Sequence, residues 1–453
     1  MQIQGRDIPR WGWYAAVALV LTLLLAIFTG PSEETAGDDE DGATRSETVR
    51  KIQRNRYFSL PSFSDGITNE MSEFDGIEKW DRDMRQFMAY WHLRGVSLAV
   101  MRNDSLLFAR GYGYADSTTM TPMAPSHILR VASVSKLITA AGIMVLKDQK
   151  KLRLSDKVFD PREGILRDEP YCQKITDRRY YNITVEHLLR HEGGFSEAFG
   201  DPMFTTLSLM RRNGLTEPPT PAQLMETQLE NRLRTVPGST KSYSNYGYFI
   251  LSLIIEKVSG VSYEDFIQTE LLQPAGCYGF RLAENYYEDR YPNEVQYYLT
   301  KDDTLLFEYN GSGRKVPRCY GGNNIRGLLG AGAWVASPSD LARFVAAIDG
   351  RPGIPDVLSK ESVKEMTRHI EGHYSLGWNE TDPKIGWMRS GTLSGTSALV
   401  KYFPDGECWV MVTNTSTWIG PRFSKQIAAK FSEWRRNWSR KLPRQNLFTT
   451  GGN

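Results

Sequence analysis

Strand-like runs lie near both ends of the part of this chain that has the pattern of a folded domain, and helix-like segments lie between them. Near the N-terminal end, the alternating apolar runs of VSLAVMRNDSLLFARGYGYAD flank Asn103-Asp104, a pair that favours a β-hairpin turn. Near the C-terminal end, the turn sequence PDG at 404–406 separates two further β runs. Because both ends supply strands, the pattern predicts an α+β fold with one sheet assembled from both ends and a helical region inserted between them.

Apolar residues at helical spacing predict helices around these strands. From Met71 onward, EFDGIEKWDRDMRQFMAYWHLRG predicts a helix that ends at Gly95. The apolar stretch LITAAGIMVLKDQKKL predicts a long helix, of a kind that is usually buried in the centre of a domain. A final helix is predicted over about 421–438.

The N-terminal region predicts a membrane anchor. The apolar run WGWYAAVALVLTLLLAIF at 11–28 has nearly the length that spans a bilayer, and Arg6 and Arg10 precede it. Since basic flanks stay in the cytoplasm, we expect a single-pass helix in the cytoplasmic membrane with the rest of the chain on the periplasmic side. A cleaved signal peptide is the alternative. The expected plan is a cytoplasmic N-terminus at 1–10, an anchor at 11–29, an acidic tether with an unassigned segment at 30–75, a folded domain at 76–440 and a tail at 441–453.

Charge and cysteine content exclude several classes of function. A net charge of +2 provides no strong field for nucleic acid, so no nucleic-acid partner is expected. None of the four cysteines forms a CxxC pair, which argues against a thiolate zinc site or a thioredoxin-like redox site. The cysteines are expected either as disulfides in an oxidising space or as buried free thiols. We expect no metal and no cofactor.

The stretch RVASVSKLIT places Ser133 three residues before Lys136, at the start of the apolar helix. A serine hydroxyl becomes nucleophilic when a nearby base takes its proton, and a lysine is such a base when burial lowers its pKa. On a helix, the two side chains share one face. The alternative is an N-cap serine followed by a surface lysine. The same spacing recurs at Ser312 and Lys315 in a Gly-rich polar loop, so the spacing alone does not decide.

A second stretch, PGSTKSYSNYGY at 237–248, contains Tyr243 and Asn245. In an extended segment these two side chains point the same way. A tyrosine near a lysine passes protons, and an asparagine both donates to a substrate carbonyl and accepts from the lysine. The alternative is a pair of ordinary loop residues, because Tyr-x-Asn also occurs at 180–182 and 291–293.

Together these motifs resemble the serine β-lactamase and penicillin-binding-protein superfamily, and most closely its branch of class C β-lactamases, DD-peptidases and esterases. The resemblance covers about residues 80 to 435 and includes HLLRHEGGF at 187–195, GAGAWVASPSDLARF at 330–344 and YSLGW at 374–378. It implies a β-lactamase/transpeptidase-like fold with an antiparallel sheet flanked by helices and a largely helical inserted subdomain. It also implies that Ser133 is the nucleophile and Lys136 its base, with Tyr243 and Asn245 completing the catalytic set.

The resemblance further implies a third motif at RSGTLSG, where Arg389, Ser390 and Gly391 stand in the family's Lys/His-Ser/Thr-Gly positions. Arginine is a departure, and because it binds a carboxylate bidentately we expect Arg389 to anchor substrate. The main-chain N–H groups of Ser133 and Thr392 would form the oxyanion hole. A second departure is Glu192-Gly193, where the family has Thr or Ser and then Ser.

The implied function is acyl transfer to Ser133 from an amide, β-lactam or ester carbonyl, followed by hydrolysis. The expected partner is a small-molecule or peptide substrate, with peptidoglycan-related peptides or β-lactams favoured by the external location. A zinc site at His187 and His191 is an alternative, but the zincin pattern has Glu directly after its first His, where this chain has Leu188. A catalytically inactive receptor or scaffold of the same fold is the other alternative.

Overall fold

The computed structural model describes residues 61–198, 200–300 and 305–449. Most strands are short, and the long ones lie near the two ends of the described region. The strands are β1 (Gly95–Arg102), β2 (Ser105–Asp116), β3 (Thr121–Pro122), β4 (Leu129–Arg130), β5 (Arg281–Leu282), β6 (Tyr298–Leu299), β7 (Leu305–Phe307), β8 (Lys315–Pro317), β9 (Trp334–Ala336), β10 (Glu380–Asp382), β11 (Gly386–Leu393), β12 (Thr396–Tyr402), β13 (Glu407–Thr413) and β14 (Thr415–Ser416).

The α-helices concentrate between β2 and β10, and a further helix stands at each end of the described region. The helices are α1 (Ile77–Trp91), α2 (Ser135–Asp148), α3 (Val185–Leu189), α4 (Thr206–Asn213), α5 (Pro221–Leu229), α6 (Asn245–Ser259), α7 (Tyr263–Phe266), α8 (Pro338–Ala346), α9 (Lys360–Met366) and α10 (Phe423–Trp438).

A seven-stranded sheet with the order β10-β11-β12-β13-β1-β2-β3 forms the centre of the fold, and its neighbouring strands are antiparallel. Both predicted hairpins are present. Asn103 and Asp104 join β1 to β2 with positive φ angles of 46° and 59°, which suits the twist of a two-residue turn. The PDG turn joins β12 to β13, and β13 pairs with β1, so both ends of the domain build one sheet as the pattern predicted.

Helices cover both faces of this sheet. On one face, α1 and α10 enclose an aromatic cluster in which the ring centroids of Trp80 and Trp434 lie 5.2 Å apart. On the other face, α8 packs against β1 and β13. The helix α2 is buried along almost its whole length, because it lies between the sheet side and the inserted helical region that includes α6. The α+β class and the helical insertion are therefore as the sequence predicted.

Residues next to the predicted domain boundaries also pack onto this unit. The first helix begins at Ile77 rather than near Met71, and residues 61–75 form two short 3₁₀ turns. The Ser72 hydroxyl donates to the carbonyl of Ala109 in β2 at 2.8 Å. At the other end, Leu447 is fully buried, within the segment 441–453 that the sequence predicted as a tail.

The predicted anchor at 11–29 lies outside the described residues. Among the residues that the structure describes, no helix is long and apolar enough to cross a membrane.

The four cysteines are free thiols, and all but Cys172 are buried. They are Cys172, Cys277, Cys319 and Cys408.

Candidate active site

Ser133 sits in a one-turn 3₁₀ helix, Ala132–Val134, that leads directly into α2. The preceding residue, Ala132, has a φ of 50°, a strained conformation for a residue with a Cβ. Strand β11 passes very close to this turn: a Cβ on Gly391 would lie 2.8 Å from the Ser133 nitrogen. Glycine at 391 thus allows the strand to approach the nucleophile, which places the serine between a helix start and a sheet edge.

Lys136 lies one turn further along and is fully buried. Its Nζ is 3.2 Å from the Ser133 Oγ, and it donates to the Asn245 Oδ1 at 2.6 Å and the Ala331 carbonyl at 2.5 Å. Burial has the largest effect on the pKa of Lys136 and lowers it. Tyr243 opposes the shift and the Arg389 charge adds to it, so that the resulting pKa is about 8. The amine is therefore held next to the serine hydroxyl with a pKa at which the neutral form is accessible.

Tyr243 brings a third titratable group to the serine. Lys136 lies 5.0 Å from the centroid of its ring, and the Arg389 Nη2 donates to its hydroxyl at 3.1 Å. Burial raises the pKa of Tyr243, but the positive charges of Lys136 and Arg389 outweigh burial and lower this pKa to about 8. Hydrogen bonding with the Ser133 hydroxyl adds to the lowering. The phenol is thus suited to pass a proton near neutral pH.

Arg389 is placed differently from the anchoring role expected for it. Its side chain is fully buried, and its Nε donates to the Ser133 carbonyl at 2.7 Å while its Nη2 contacts Tyr243. It does not line the cavity in front of Ser133. Strand alternation turns Arg389 inward, so that its charge acts on the Ser133 turn and on Tyr243. Substrate anchoring by Arg389 stays a prediction.

Asn245 begins α6, where the Ser244 hydroxyl accepts from the Gly247 N–H as the N-cap. Its Oδ1 accepts from Lys136, and its Nδ2 donates to an Asp201 carboxylate oxygen at 2.5 Å. These two partners orient the amide unambiguously. Sequence reasoning missed Asp201, since a single aspartate in a Gly- and Pro-containing loop carries no motif.

A cavity of about 350 Å³ opens in front of Ser133. Among the residues that line it in the described part of the chain, no carboxylate, lysine or arginine side chain appears. The lining residues are Ser133, Phe204, Tyr243, Asn245, Leu328, Ala331, Gly332, Asn379, Ser390, Gly391, Thr392, Leu393 and Pro421. The wall is therefore polar around the serine and apolar at its borders.

One wall of the cavity is the edge of β11 that β10 leaves uncovered. The Met388 carbonyl accepts from the Asn379 N–H at 2.8 Å, and the Ser390 N–H donates to the Asn379 Oδ1 at 2.7 Å. Since alternate residues of a strand direct their main-chain groups to the same edge, the Thr392 N–H also faces this edge. Ser133 and Thr392 both line the cavity, as two donors of an oxyanion hole would have to. Sequence reasoning missed Asn379, which follows directly on the quoted YSLGW.

The competing motifs have other roles in the structure. The Ser312 hydroxyl bonds to the buried Glu308 in the β7–β8 hairpin, far along the chain from α2. The Nδ1 atoms of His187 and His191 accept main-chain N–H groups of Thr184 and Ser244. In the described ranges, no group of three or more His, Cys, Asp or Glu side chains is arranged to hold a metal ion.

The fold is an antiparallel sheet with a helical insertion, and a serine, a buried lysine and a tyrosine meet at the edge of this sheet. These features define the class of β-lactamase-fold serine hydrolases. A sequence profile of the Beta-lactamase family matches residues 80–430. The chain belongs to the Beta-lactamase family.

Two bacterial proteins of similar sequence are a penicillin-binding protein and the protein flp. Penicillin-binding protein 4* of Bacillus subtilis (strain 168) is 27% identical over 333 residues, which cover 71% of this chain and 68% of that protein. Protein flp of Staphylococcus aureus (strain NCTC 8325 / PS 47) is 22% identical over 342 residues, which cover 75% of this chain and 63% of that protein. The chain thus matches about two thirds of the length of these relatives.

Solved structures show the same fold at low identity. The D-amino acid amidase from Ochrobactrum anthropi SV3 superposes with a TM-score of 0.61 at 19% identity, over 80% of this chain and 99% of that one. EstCE1, a hydrolase with promiscuous acyltransferase activity, superposes with a TM-score of 0.58 at 19% identity, over 78% of this chain and 98% of that one. At these identities the likeness establishes the fold.

Proposed function

We propose that this protein is a serine acyl hydrolase of the class C β-lactamase type, which forms an acyl-enzyme on Ser133 from an amide, β-lactam or ester carbonyl. The observation that carries the proposal is the convergence of the buried Lys136 and of Tyr243 on Ser133, which lines a cavity, with Lys136 3.2 Å from the serine oxygen. A nucleophile, a base of lowered pKa and a wall of main-chain donors are the parts that acyl transfer needs.

The geometry supports a specific sequence of proton transfers. The Ser133 Oγ attacks the carbonyl carbon as its proton passes to the Lys136 and Tyr243 pair. The N–H groups of Ser133 and Thr392 stabilise the oxyanion that forms. Tyr243 then gives the proton to the leaving group as the carbonyl is restored, which produces the acyl-enzyme. Water repeats the sequence with the same groups and releases the acid.

Cavity size and wall chemistry restrict the substrate. A volume of about 350 Å³ lies near the lower end of the usual range for ligand pockets, about 300 to 1,000 Å³, and suits a small molecule or short peptide. The neutral lining with apolar borders suits an uncharged acyl group. A penicillin-binding protein and a D-amino acid amidase among the similar proteins favour a D-amino acid amide, a D-alanyl peptide or a β-lactam.

We also propose an external location, with the domain held at the membrane by the predicted helix at 11–29. The apolar run and its basic flank support this location, and it would bring the site to peptidoglycan-related peptides. Protease treatment of spheroplasts tests this part separately. An external domain should be degraded while a cytoplasmic marker protein stays intact, and a protected domain would contradict the proposed location.

Intact-mass spectrometry of the full chain after exposure to a penicillin tests the chemistry. The wild type should gain one adduct, and Ser133→Ala should gain none. Ser312→Ala is the matched control, because it removes the serine of the other Ser-x-x-Lys sequence, and it should acylate like the wild type. A lasting adduct indicates a penicillin-binding peptidase, and a transient adduct with penicillin consumed indicates a β-lactamase.

The same assay is repeated with a D-phenylalanine amide and an aryl acetate as acyl donors. Turnover of either donor that depends on Ser133 identifies an amidase or an esterase. If none of the three donors acylates or is hydrolysed, the proposal of an acyl hydrolase is wrong, and the inactive receptor becomes the better account of the fold.

A further inference from the structure

We propose that His191 is a positioning residue for Tyr243, and that it fixes both the main chain and the ring of this proton-transfer group. The inference rests on the proposed function, since it assigns Tyr243 a role in proton transfer. His191 belongs to the HLLRHEGGF stretch, whose histidines had no part in the chemistry derived so far. It does not touch the cavity in front of Ser133, so it acts through Tyr243.

His191 holds the main chain on both sides of Tyr243. Its carbonyl accepts from the Ser242 N–H at 2.8 Å, and its Nδ1 accepts from the Ser244 N–H at 3.1 Å. One residue thus binds both neighbours of the tyrosine. Because Asn245 follows immediately, the same bonds also set the start of α6.

The imidazole ring also packs against the tyrosine ring. The centroids of His191 and Tyr243 are 4.4 Å apart with an angle of 31° between the planes, and Tyr248 lies 4.9 Å from the histidine. Lys136 and Arg389 lie at 5.0 Å and 5.9 Å from the Tyr243 centroid. The phenol is therefore held between a ring and two cations, where its rotation is restricted and water is kept from the face that His191 covers.

The imidazole is held neutral in this position. Its Nδ1 is an acceptor, which places the single proton on Nε2, and this nitrogen is buried with no hydrogen-bond partner among the described residues. Burial lowers the pKa of His191 well below its usual value, and the charges of Arg389 and Lys136 lower it further. A group that stays neutral and does not face the cavity is suited to hold its neighbour in place rather than to transfer protons.

A second layer holds His191 from behind and accounts for the glutamate at 192. The Arg190 Nη1 donates to the Tyr374 carbonyl at 2.8 Å, and a Glu192 carboxylate oxygen is 2.6 Å from the His373 Nδ1. These contacts bring the Tyr374 ring edge-on against His191, at 5.1 Å between centroids. The departure from the family's Ser or Thr at 192 thus ties two chain segments together next to the histidine.

Two substitutions separate the contributions of His191. His191→Asn keeps an acceptor for the Ser244 N–H and tolerates the φ of 60° at this position, but it removes the ring. His191→Phe keeps a ring against Tyr243 and removes the acceptor. His187→Asn is the matched control, because this histidine on the same segment accepts from Thr184 and makes no ring contact with Tyr243.

We expect each His191 variant to lower kcat by about 10- to 100-fold, as misplacement of a reacting group by about 1 Å does, with KM changed by less than about threefold. In His191→Asn, the rise of kcat with pH should move to higher pH. Water beside the Tyr243 phenol weakens the effect of Lys136 and Arg389 on the pKa of this phenol. His187→Asn should leave kcat and the pH profile unchanged.

A second measurement does not depend on turnover. The phenolate absorbance of Tyr243, taken as the difference between each protein and its Tyr243→Phe counterpart, reports the pKa of this one tyrosine. The pKa of Tyr243 should rise in His191→Asn even if no acyl donor is hydrolysed. This measurement therefore separates the inference from the function proposed above. Unchanged kcat, pH profile and phenolate titration in both folded variants, checked by their Tm, would overturn it.

Discussion

Two clusters of polar and ionisable side chains, each with a buried group of shifted pKa, are used differently in this protein. The cluster for which we propose a catalytic role, called the catalytic cluster below, consists of Ser133, Lys136, Tyr243 and Arg389. The carboxyl cluster consists of Asp104, Asp349, Arg351 and Tyr402, and it joins the β1–β2 turn to the segment after α8 and the end of β12. Each contains a group whose pKa lies near neutrality: about 8 for Lys136 and Tyr243, and about 7 for Asp349.

The two clusters differ in what their polar atoms face. In the carboxyl cluster, Asp349 accepts from the Tyr402 hydroxyl at 2.7 Å and the Arg351 N–H at 2.9 Å, and Asp104 accepts from the Gly353 N–H at 2.9 Å. These carboxylate oxygens are bonded to other groups of the protein, and neither aspartate lines the cavity in front of Ser133. In the catalytic cluster, the perturbed groups converge on a hydroxyl that opens onto a cavity. A shifted pKa therefore indicates a functional site only when a reactive atom is within reach.

The largest expected effect comes from removing the reactive atom of the catalytic cluster. Ser133→Ala should lower kcat by on the order of 10⁶-fold, which is the cost of losing the nucleophile of a cooperating set. Lys136→Met should cost about 10²- to 10⁴-fold, the usual contribution of a general base. In the double variant the two losses should not multiply, because the base acts through the serine. Steady-state kinetics on a hydrolysed acyl donor measures all three values.

The pH dependence of the wild type follows from the same groups. The pKa values of Lys136 and Tyr243 are about 8, and proton transfer from Ser133 needs the pair to have lost a proton. The rate of acylation should therefore rise with pH through about 8. Stopped-flow measurements of acylation across this range give the midpoint, and a rate that falls with rising pH contradicts the assignment of Lys136 and Tyr243 as the base pair.

Arg389→Met tests the inward role of this arginine. Its charge lowers the pKa of both Lys136 and Tyr243, so its loss should raise both values and move the pH midpoint upward by about one unit. The acylation rate near pH 7 should then fall about 10-fold. Arg389→Lys, which keeps the charge, should show the smaller shift. If KM instead rises only for carboxylated donors and the midpoint of the pH profile stays in place, Arg389 anchors substrate as the sequence first suggested.

Much of the catalytic cluster could be predicted from the sequence, because its members stand in short motifs. Ser133 with Lys136, and Tyr243 with Asn245, are each a few residues apart, and the structure brings all four together. The turns at Asn103 and PDG predicted the β1–β2 and β12–β13 hairpins, since turn type depends on local residues.

The remaining parts of the site depend on contacts between distant segments. Asp201 orients Asn245 across 44 positions of the chain, and no local pattern marks it. For Arg389, the motif indicates a positive charge but not the face of β11 that carries it. His191 was weighed as a metal ligand from its spacing alone, and only the fold shows that its Nδ1 and carbonyl hold the main chain around Tyr243.

The smallest expected effect on activity comes from the carboxyl cluster. Burial, followed by the nearby Asp104, raises the pKa of Asp349 from 3.8 to about 7, so the folded protein binds this proton more tightly than the unfolded chain. The resulting stabilisation is complete below about pH 4 and is lost as the pH rises through about 7. Asp349→Asn has no such proton. Between mildly acidic and mildly alkaline pH, its Tm should therefore fall by about 2 to 5 °C less than the Tm of the wild type.

Differential scanning calorimetry across this pH range measures the effect, with kcat at each pH as the internal control. Since Asp349 has no contact with Ser133 or its base, kcat of Asp349→Asn should stay within about twofold of the wild type. A parallel fall of Tm in both proteins would show that the proton on Asp349 does not contribute to stability. A shift in the pH profile of kcat would mean that the two clusters are coupled through β12, and that the separation between a structural and a catalytic use of buried charge does not hold in this protein.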